Sequence, residues 1–157
     1  MIYVRSCVKI AAPSNITCGT VLPNGKTVGG YVRSARNQMN SIAGTGSPPL
    51  DAYHMLTTFK GLVGGGSSID FKNTMAGQGS QELLGNAGNF AYYAIGSGYF
   101  SAGILDMGAG GYAIKSAFIP SSPVKFSSLT MPYGQDTSAK LQEGPGLAAN
   151  GCGVKTF

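Results

Sequence analysis

From Val28 the apolar side chains recur as Val28, Tyr31, Val32, Ala35, Met39 and Ile42, the spacing of one buried helical face. Thr27 stands where a capping hydroxyl belongs and Gly44 is a natural stop, while Gly29 and Gly30 weaken the first turn. A second helix is expected to start in "TGSPPL", with Pro49 in its first turn. Its buried face reads Leu50, Tyr53, Leu56, Phe59 and Leu62 or Val63, and "GGGSS" ends it. "IDFKN" is a short ordered segment and "TMAGQGS" a loop. Ser80 then caps a third long helix, with Glu82 in its first turn and Leu83, Leu84, Ala87, Ala91, Ala94 and Ile95 at helical spacing. After "GSG" a further helix is expected from about Phe100 to Ser116, where Ala102, Gly103, Gly110 and Ala113 would let another backbone come close. Residues 1–12 alternate loosely as an edge strand, and "VKFSSL" beyond Pro120 is a second strand candidate.

The pattern predicts a mainly α fold with minor strand content, a single compact domain over residues 1–157 built from closely packed, Gly-rich helices. Residues 85–114 alone carry eight glycines and four tyrosines. Each glycine inside a helix costs about 1 kcal/mol of propensity, so such helices persist only where close approach of backbones returns the loss. The same stretch is interrupted by Asn89, "GSG" and Asp106, which breaks the run of about 20 apolar residues that a membrane span requires. No stable membrane insertion is expected, and a pore former is the least favoured class.

Charge narrows the partners. Only 11% of residues are charged, with 11 Lys+Arg against 6 Asp+Glu for a net +5. That surface suits a polyanion, but the basic residues stand singly, whereas a phosphate backbone is usually met by clusters. The acidic bacterial wall fits better than nucleic acid. The three cysteines, Cys7, Cys18 and Cys152, leave the pairing open. Cys7 with Cys18 would pin a loose N-terminal segment, and Cys152 is equally a partner for either; any bridge implies an oxidising destination. Residues 1–12 lack the basic start and apolar run of a secretory signal, so export is expected to use a specialised route.

Three stretches in order, "LPNGKTV", "FKGLVGGGSSIDFKN" and "GNFAYYAIGSGYFSAGILDMGAGGYAI", resemble the polymorphic toxin type 44 family of bacterial toxin domains. The likeness rests on a D-aromatic-K element, here Asp70-Phe71-Lys72, and a G-N-aromatic-x-Y element, here Gly88-Asn89-Phe90-Ala91-Tyr92. The family usually follows with glycine where this chain has Tyr93. The likeness covers about residues 22–114 and leaves residues 1–21 and 115–157 as extensions. It implies an antibacterial effector carried by a secretion machine and neutralised by a cognate immunity protein.

The residues themselves suggest hydrolysis. In an extended segment Asp70 and Lys72 would share a face, so that Lys72 keeps the carboxylate ionised for acid/base work; the bland alternative is a surface ion pair. Glycan cleavage usually employs two carboxylates. Asp51, Asp70, Glu82 and Asp106 are the acidic residues within the matched stretch, and Asp70 with Glu82 is the expected pair. Glu82 is otherwise a first-turn helix charge. Asn86, Asn89 and Tyr93 fall on one side of a helix and, with Tyr92, form a lining suited to sugars or peptides, unless Asn89 merely braces the fold. His54, the single histidine, excludes a two-histidine ribonuclease and a multi-histidine metal site. A hydrolase with Cys18 or Cys7 as nucleophile and His54 as base is a lesser alternative. No motif requires a metal or other cofactor. The expected activity is peptidoglycan hydrolysis in the periplasm of a target cell, with glycan cleavage ahead of peptide cleavage. The alternative is an RNase toxin acting in the target cytoplasm.

Overall fold

The computed structural model describes residues 16–101 together with residues 104, 105, 107, 108, 152 and 153. The described part is helical: α1 (Val28–Ile42), α2 (Pro48–Val63), the single turn α3 (Phe71–Thr74) and α4 (Gln81–Gly96). Residues 104, 105, 107 and 108 are also helical. An antiparallel bridge between Val21 and Thr27 closes the turn before α1. The edge strand expected in residues 1–12 and the one in "VKFSSL" lie outside the described residues.

The local signals act as expected at most helix ends. Thr27 Oγ1 accepts from the Gly30 amide at 3.1 Å, filling one of the donors that a helix start leaves open. Gly44, just past α1, adopts a positive φ of 77°, which favours glycine. Ser80 accepts from the Leu83 amide at 3.3 Å, and Pro stands in the first turn of α2. Phe100 and Ser101 are not helical, so the expected last helix starts later than its apolar pattern suggests; residues 109–116 lie outside the described part.

α4 is the helix on which the others are assembled. It packs against α1 and α3, and α2 in turn lies on α1. From Leu84 to Gly96 it buries Leu84, Ala87, Phe90, Ala91, Tyr93, Ala94, Ile95 and Gly96. α1 contributes Val28, Val32, Ala35 and Met39, and α3 contributes Phe71, whose ring meets Tyr31 edge-on at 5.1 Å. α2 departs from its expected amphipathic face: Leu50, Tyr53 and Leu56 are 47%, 63% and 53% exposed, and Phe59 alone is fully buried. α2 reaches the core from Met55 onward, where Met55, Leu62 and Val63 pack on it half-buried.

A buried cation closes the far end of α4. Arg36 is 2% exposed and donates from Nη1 to the Ala94 carbonyl at 3.2 Å. That carbonyl belongs to the last turn of α4, where a positive charge is favoured. The guanidinium lies 5.5 Å from the Tyr99 ring centre, and Tyr99 Oη donates to the Arg36 carbonyl at 3.0 Å and contacts Asn40 Oδ1. Gly98 makes the fit possible, because a Cβ there would stand 1.8 Å from Arg36 Nη2.

Cys18 and Cys152 are paired, with Cα atoms 4.9 Å apart across a sequence separation of 134, within the range that a disulfide spans. Of the pairings open from the sequence it is the long one; Cys7 lies outside the described residues. Both ends are tied to α1. The Cys18 carbonyl accepts from the Gly29 amide at 2.7 Å, and Arg33 donates to the Cys152 carbonyl at 3.2 Å. A Cβ on Gly29 would fall 2.7 Å from the Cys18 oxygen, so the glycine that weakens α1 is what admits the cysteine segment.

Closing so long a loop restricts the unfolded chain by an amount worth about 5 kcal/mol at most. Replacing both cysteines with serine is therefore expected to lower the urea midpoint and the Tm markedly, while dithiothreitol does the same to the parent chain; superimposable unfolding curves would contradict the pairing. Burial raises the pKa of Tyr99 above 10, against the opposing charge and hydrogen bond of Arg36. The folded chain thus holds the phenolic proton more tightly than the unfolded one, and this contribution is complete below pH 10 and lost as pH rises through the folded-state value. In Tyr99→Phe the alkaline fall in stability should be shallower than in the parent, measured as Tm against pH.

Candidate active site

α2, α3 and α4 enclose a cavity of about 820 Å³, completed on its open side by Phe100 and residues 104, 105 and 108. Its floor is a strip of α4. Gly85, Gly88, Asn89 and Tyr92 all line it and follow the i, i+3, i+4, i+7 spacing of a single helical face. Two of those positions carry no side chain, so the cavity reaches the helix backbone. At Gly88 the space is also used by the fold, since a Cβ would meet the Ile69 carbonyl at 3.2 Å.

Asp70 and Lys72 line the same cavity, but not from an extended segment. Asp70 is the residue before α3, and its carbonyl accepts from the Asn73 and Thr74 amides at 3.0 and 2.9 Å. Its carboxylate is held from both sides: Oδ2 accepts from the Gly66 amide at 2.8 Å and from Asn73 Nδ2 at 2.6 Å. Among the described residues both bonds fall on Oδ2, which leaves Oδ1 as the oxygen that can face a ligand. "GGGSSID" is thus a loop that, with the first turn of α3, winds around one carboxylate. Lys72 follows two residues later in α3, and its tail crosses α4 at Gly85, where a Cβ would stand 2.3 Å from Cε and 2.8 Å from Nζ.

Asn89 is half-buried on the cavity wall, and among the described residues its side-chain amide has no hydrogen-bond partner. It adjoins the open space of the cavity, where its amide is available to a ligand. Tyr92 is oriented by its neighbours: Oη donates to the Leu105 carbonyl at 2.8 Å, and the ring packs against Phe59 and Tyr93 at 5.3 and 5.2 Å. With Phe100, 5.0 Å from Phe59, these rings make an aromatic wall.

The remaining sequence candidates separate. Tyr93 touches the cavity but is 1% exposed and belongs chiefly to the core. Asn86 is half-buried on α4 and Glu82 is exposed in its first turn; neither lines the cavity. Within the first turn of α4 Leu84 faces inward and Glu82 is exposed, which parts Glu82 from the Asp70 cavity, and Asp106 lies outside the described residues. His54 is exposed on α2 beside Tyr53, 6.0 Å between ring centres, and Cys18 is occupied by its bridge to Cys152, so a Cys18–His54 hydrolase is not formed. Lys60 joins the lining and was not singled out in the sequence; it reads there only as a last-turn helix charge. Among the described residues no three His, Cys, Asp or Glu side chains gather as a metal site, and no helix is long and apolar enough to cross a membrane.

No family model matches the chain, and neither the curated proteins nor the solved structures contain a match to it. Of the two short motifs read in the sequence, Asp70, Phe71 and Lys72 from one and Gly88, Asn89 and Tyr92 from the other line this cavity, while Phe90 and Ala91 are buried in the core.

Gly85→Ala separates the shape of the cavity from the strength of the fold. Alanine should favour α4 by about 1 kcal/mol, while its methyl pushes the Lys72 tail off the helix. A Tm equal to or above the parent's is expected, with altered reactivity of Lys72 toward an amine-acylating reagent read by mass spectrometry. Unchanged Lys72 labelling would contradict the contact.

Proposed function

We propose that the chain is an antibacterial effector toxin that hydrolyses the bacterial cell wall outside the cytoplasm, with the cavity between α2, α3 and α4 as its substrate site. The observation that carries the reading is that Asn89 lines the same cavity as Asp70, Lys72 and the Phe59–Tyr92 wall. Amides for hydroxyls and rings for stacking suit a saccharide or peptide surface. The Cys18–Cys152 bond supports an oxidising site of action, where a target's wall is reached and its RNA is not.

Asp70 is then the working carboxylate, with Oδ1 turned to the substrate and Oδ2 anchored by Gly66 and Asn73. Lys72 brings a positive charge to the same cavity, and Asn89 and Tyr92 position the substrate. Glu82 takes no part, so the reaction does not divide between Asp70 and Glu82. A wall sugar can itself supply the attacking oxygen from its N-acetyl group, as in substrate-assisted glycoside cleavage. Asp70 in its protonated form then gives its proton to the leaving oxygen as the glycosidic bond breaks, and water restores both groups. The partners remain those implied by the toxin likeness: a secretion carrier and a cognate immunity protein.

The second reading, an RNase, draws on the two lysines against one carboxylate in the described lining. Purified wall sacculi and RNA, each incubated with the oxidised protein, divide the two. Soluble wall fragments are expected, with Asp70→Asn slowing their release by about 10²–10⁴-fold at nearly unchanged Tm, and Glu82→Gln leaving the rate unaltered. RNA cleavage with intact sacculi would replace the first reading by the second. Cleavage of neither would remove both.

A further inference from the structure

The cavity lining combines two chemistries, and one of them does not suit a sugar. Besides Asp70 and Asn89 it includes hydrocarbon side chains: Phe59, Val63, Ile69, Leu84, Phe100 and Leu105. Of these, Leu84 and Leu105 are 0% and 1% exposed, so they back the wall and join it to the core. At the open side stand Leu56 and Ile104, apolar and 53% and 47% exposed. Lys60 and Lys72, both exposed, complete the lining, and among the described residues neither has an ion-pair partner. The one lining carboxylate, Asp70, is bound within its own loop.

We propose that the cavity binds an anionic amphiphile: a single hydrocarbon chain in the apolar end, with a phosphate or carboxylate head between Lys60 and Lys72. The volume of about 820 Å³ is that of a small-molecule site, and such sites are mostly apolar with a few placed polar groups. An apolar chain gains by leaving water for this lining in proportion to the area it hides. The two ammonium groups supply charge-assisted bonds to the head, which Lys makes as a point charge to phosphate. The inference rests on the reading of this cavity as the ligand site and extends it. The substrate or inhibitor that fits best carries a chain and an acid, and a neutral polysaccharide strand uses only the Asn89–Tyr92 side.

Dodecyl phosphate, titrated below its micelle concentration into the oxidised full chain and followed by calorimetry, is the probe. It should bind about tenfold or more tightly than either dodecyl maltoside, which has the chain without the charge, or inorganic phosphate, which has the charge without the chain. Lys60→Met with Lys72→Met should erase the advantage over dodecyl maltoside, and Leu56→Asp, at an exposed position, should weaken dodecyl phosphate without lowering Tm. Equal affinity for either control, no binding at all, or binding only to anionic phospholipid vesicles with none to the monomer overturns the proposal. The two readings fail separately. Sacculus digestion without dodecyl phosphate binding removes the amphiphile alone, and dodecyl phosphate binding without digestion removes the wall hydrolase alone.

Discussion

The structure depends on how closely other segments approach α4. That helix is short of side-chain bulk where its neighbours cross it. At Gly85 the Lys72 tail lies across the backbone, at Gly88 the Ile69 carbonyl comes near, and at Gly96 a Cβ would stand 2.4 Å from Leu105 Cδ2. Helix propensity alone disfavours these glycines. The return is contact: α3, α1 and the segment after Tyr99 each reach the helix backbone, and the aliphatic and aromatic side chains between the glycines fill the space left over. Arg36 completes the arrangement by satisfying a last-turn carbonyl with a buried charge.

The same constraint makes the cavity. A strip of helix without side chains is a place where either another segment or a ligand can lie. Near Gly96 the fold occupies it; along Gly85, Gly88 and Asn89 part of it stays open. The loop before α3 brings Asp70 to the rim because Gly66, Asn73 and Thr74 all bind that one residue. The Cys18–Cys152 bond acts elsewhere, holding the Cys18 turn and Cys152 against α1. It therefore bears on where the protein can work more than on what it does.

Helix positions were legible in the sequence because their caps are local. Thr27, Ser80 and Gly44 announce α1 and α4 through chemistry that needs no distant partner. The buried face of α2 was not legible, since Leu50, Tyr53 and Leu56 have helical spacing but nothing in spacing tells whether a neighbour arrives to cover them. The candidate site divides in the same way. Asp70, Lys72, Asn89 and Tyr92 were found from short motifs and do share a cavity, whereas Glu82 was chosen for its chemistry and its helix turns it outward. Lys60 and the aromatic wall of Phe59 and Phe100 were missed. Their part in the cavity arises from tertiary contacts, such as the Phe59 ring against Tyr92 and Phe100, which have no sequence signature. Arg36 was missed for the same reason: its partner carbonyl is 58 residues away.

The most direct test of the account is an amide NMR titration of the oxidised chain with soluble cell-wall fragments carrying both sugar and stem peptide. If the open strip of α4 is the ligand site, the largest shifts fall on Gly66, Asp70, Lys72, Gly85, Gly88 and Asn89, while Arg36, Tyr99 and the Cys18 turn stay still. Shifts gathered on the exposed face of α2 or around the disulfide, with Gly85 to Asn89 unmoved, would contradict it.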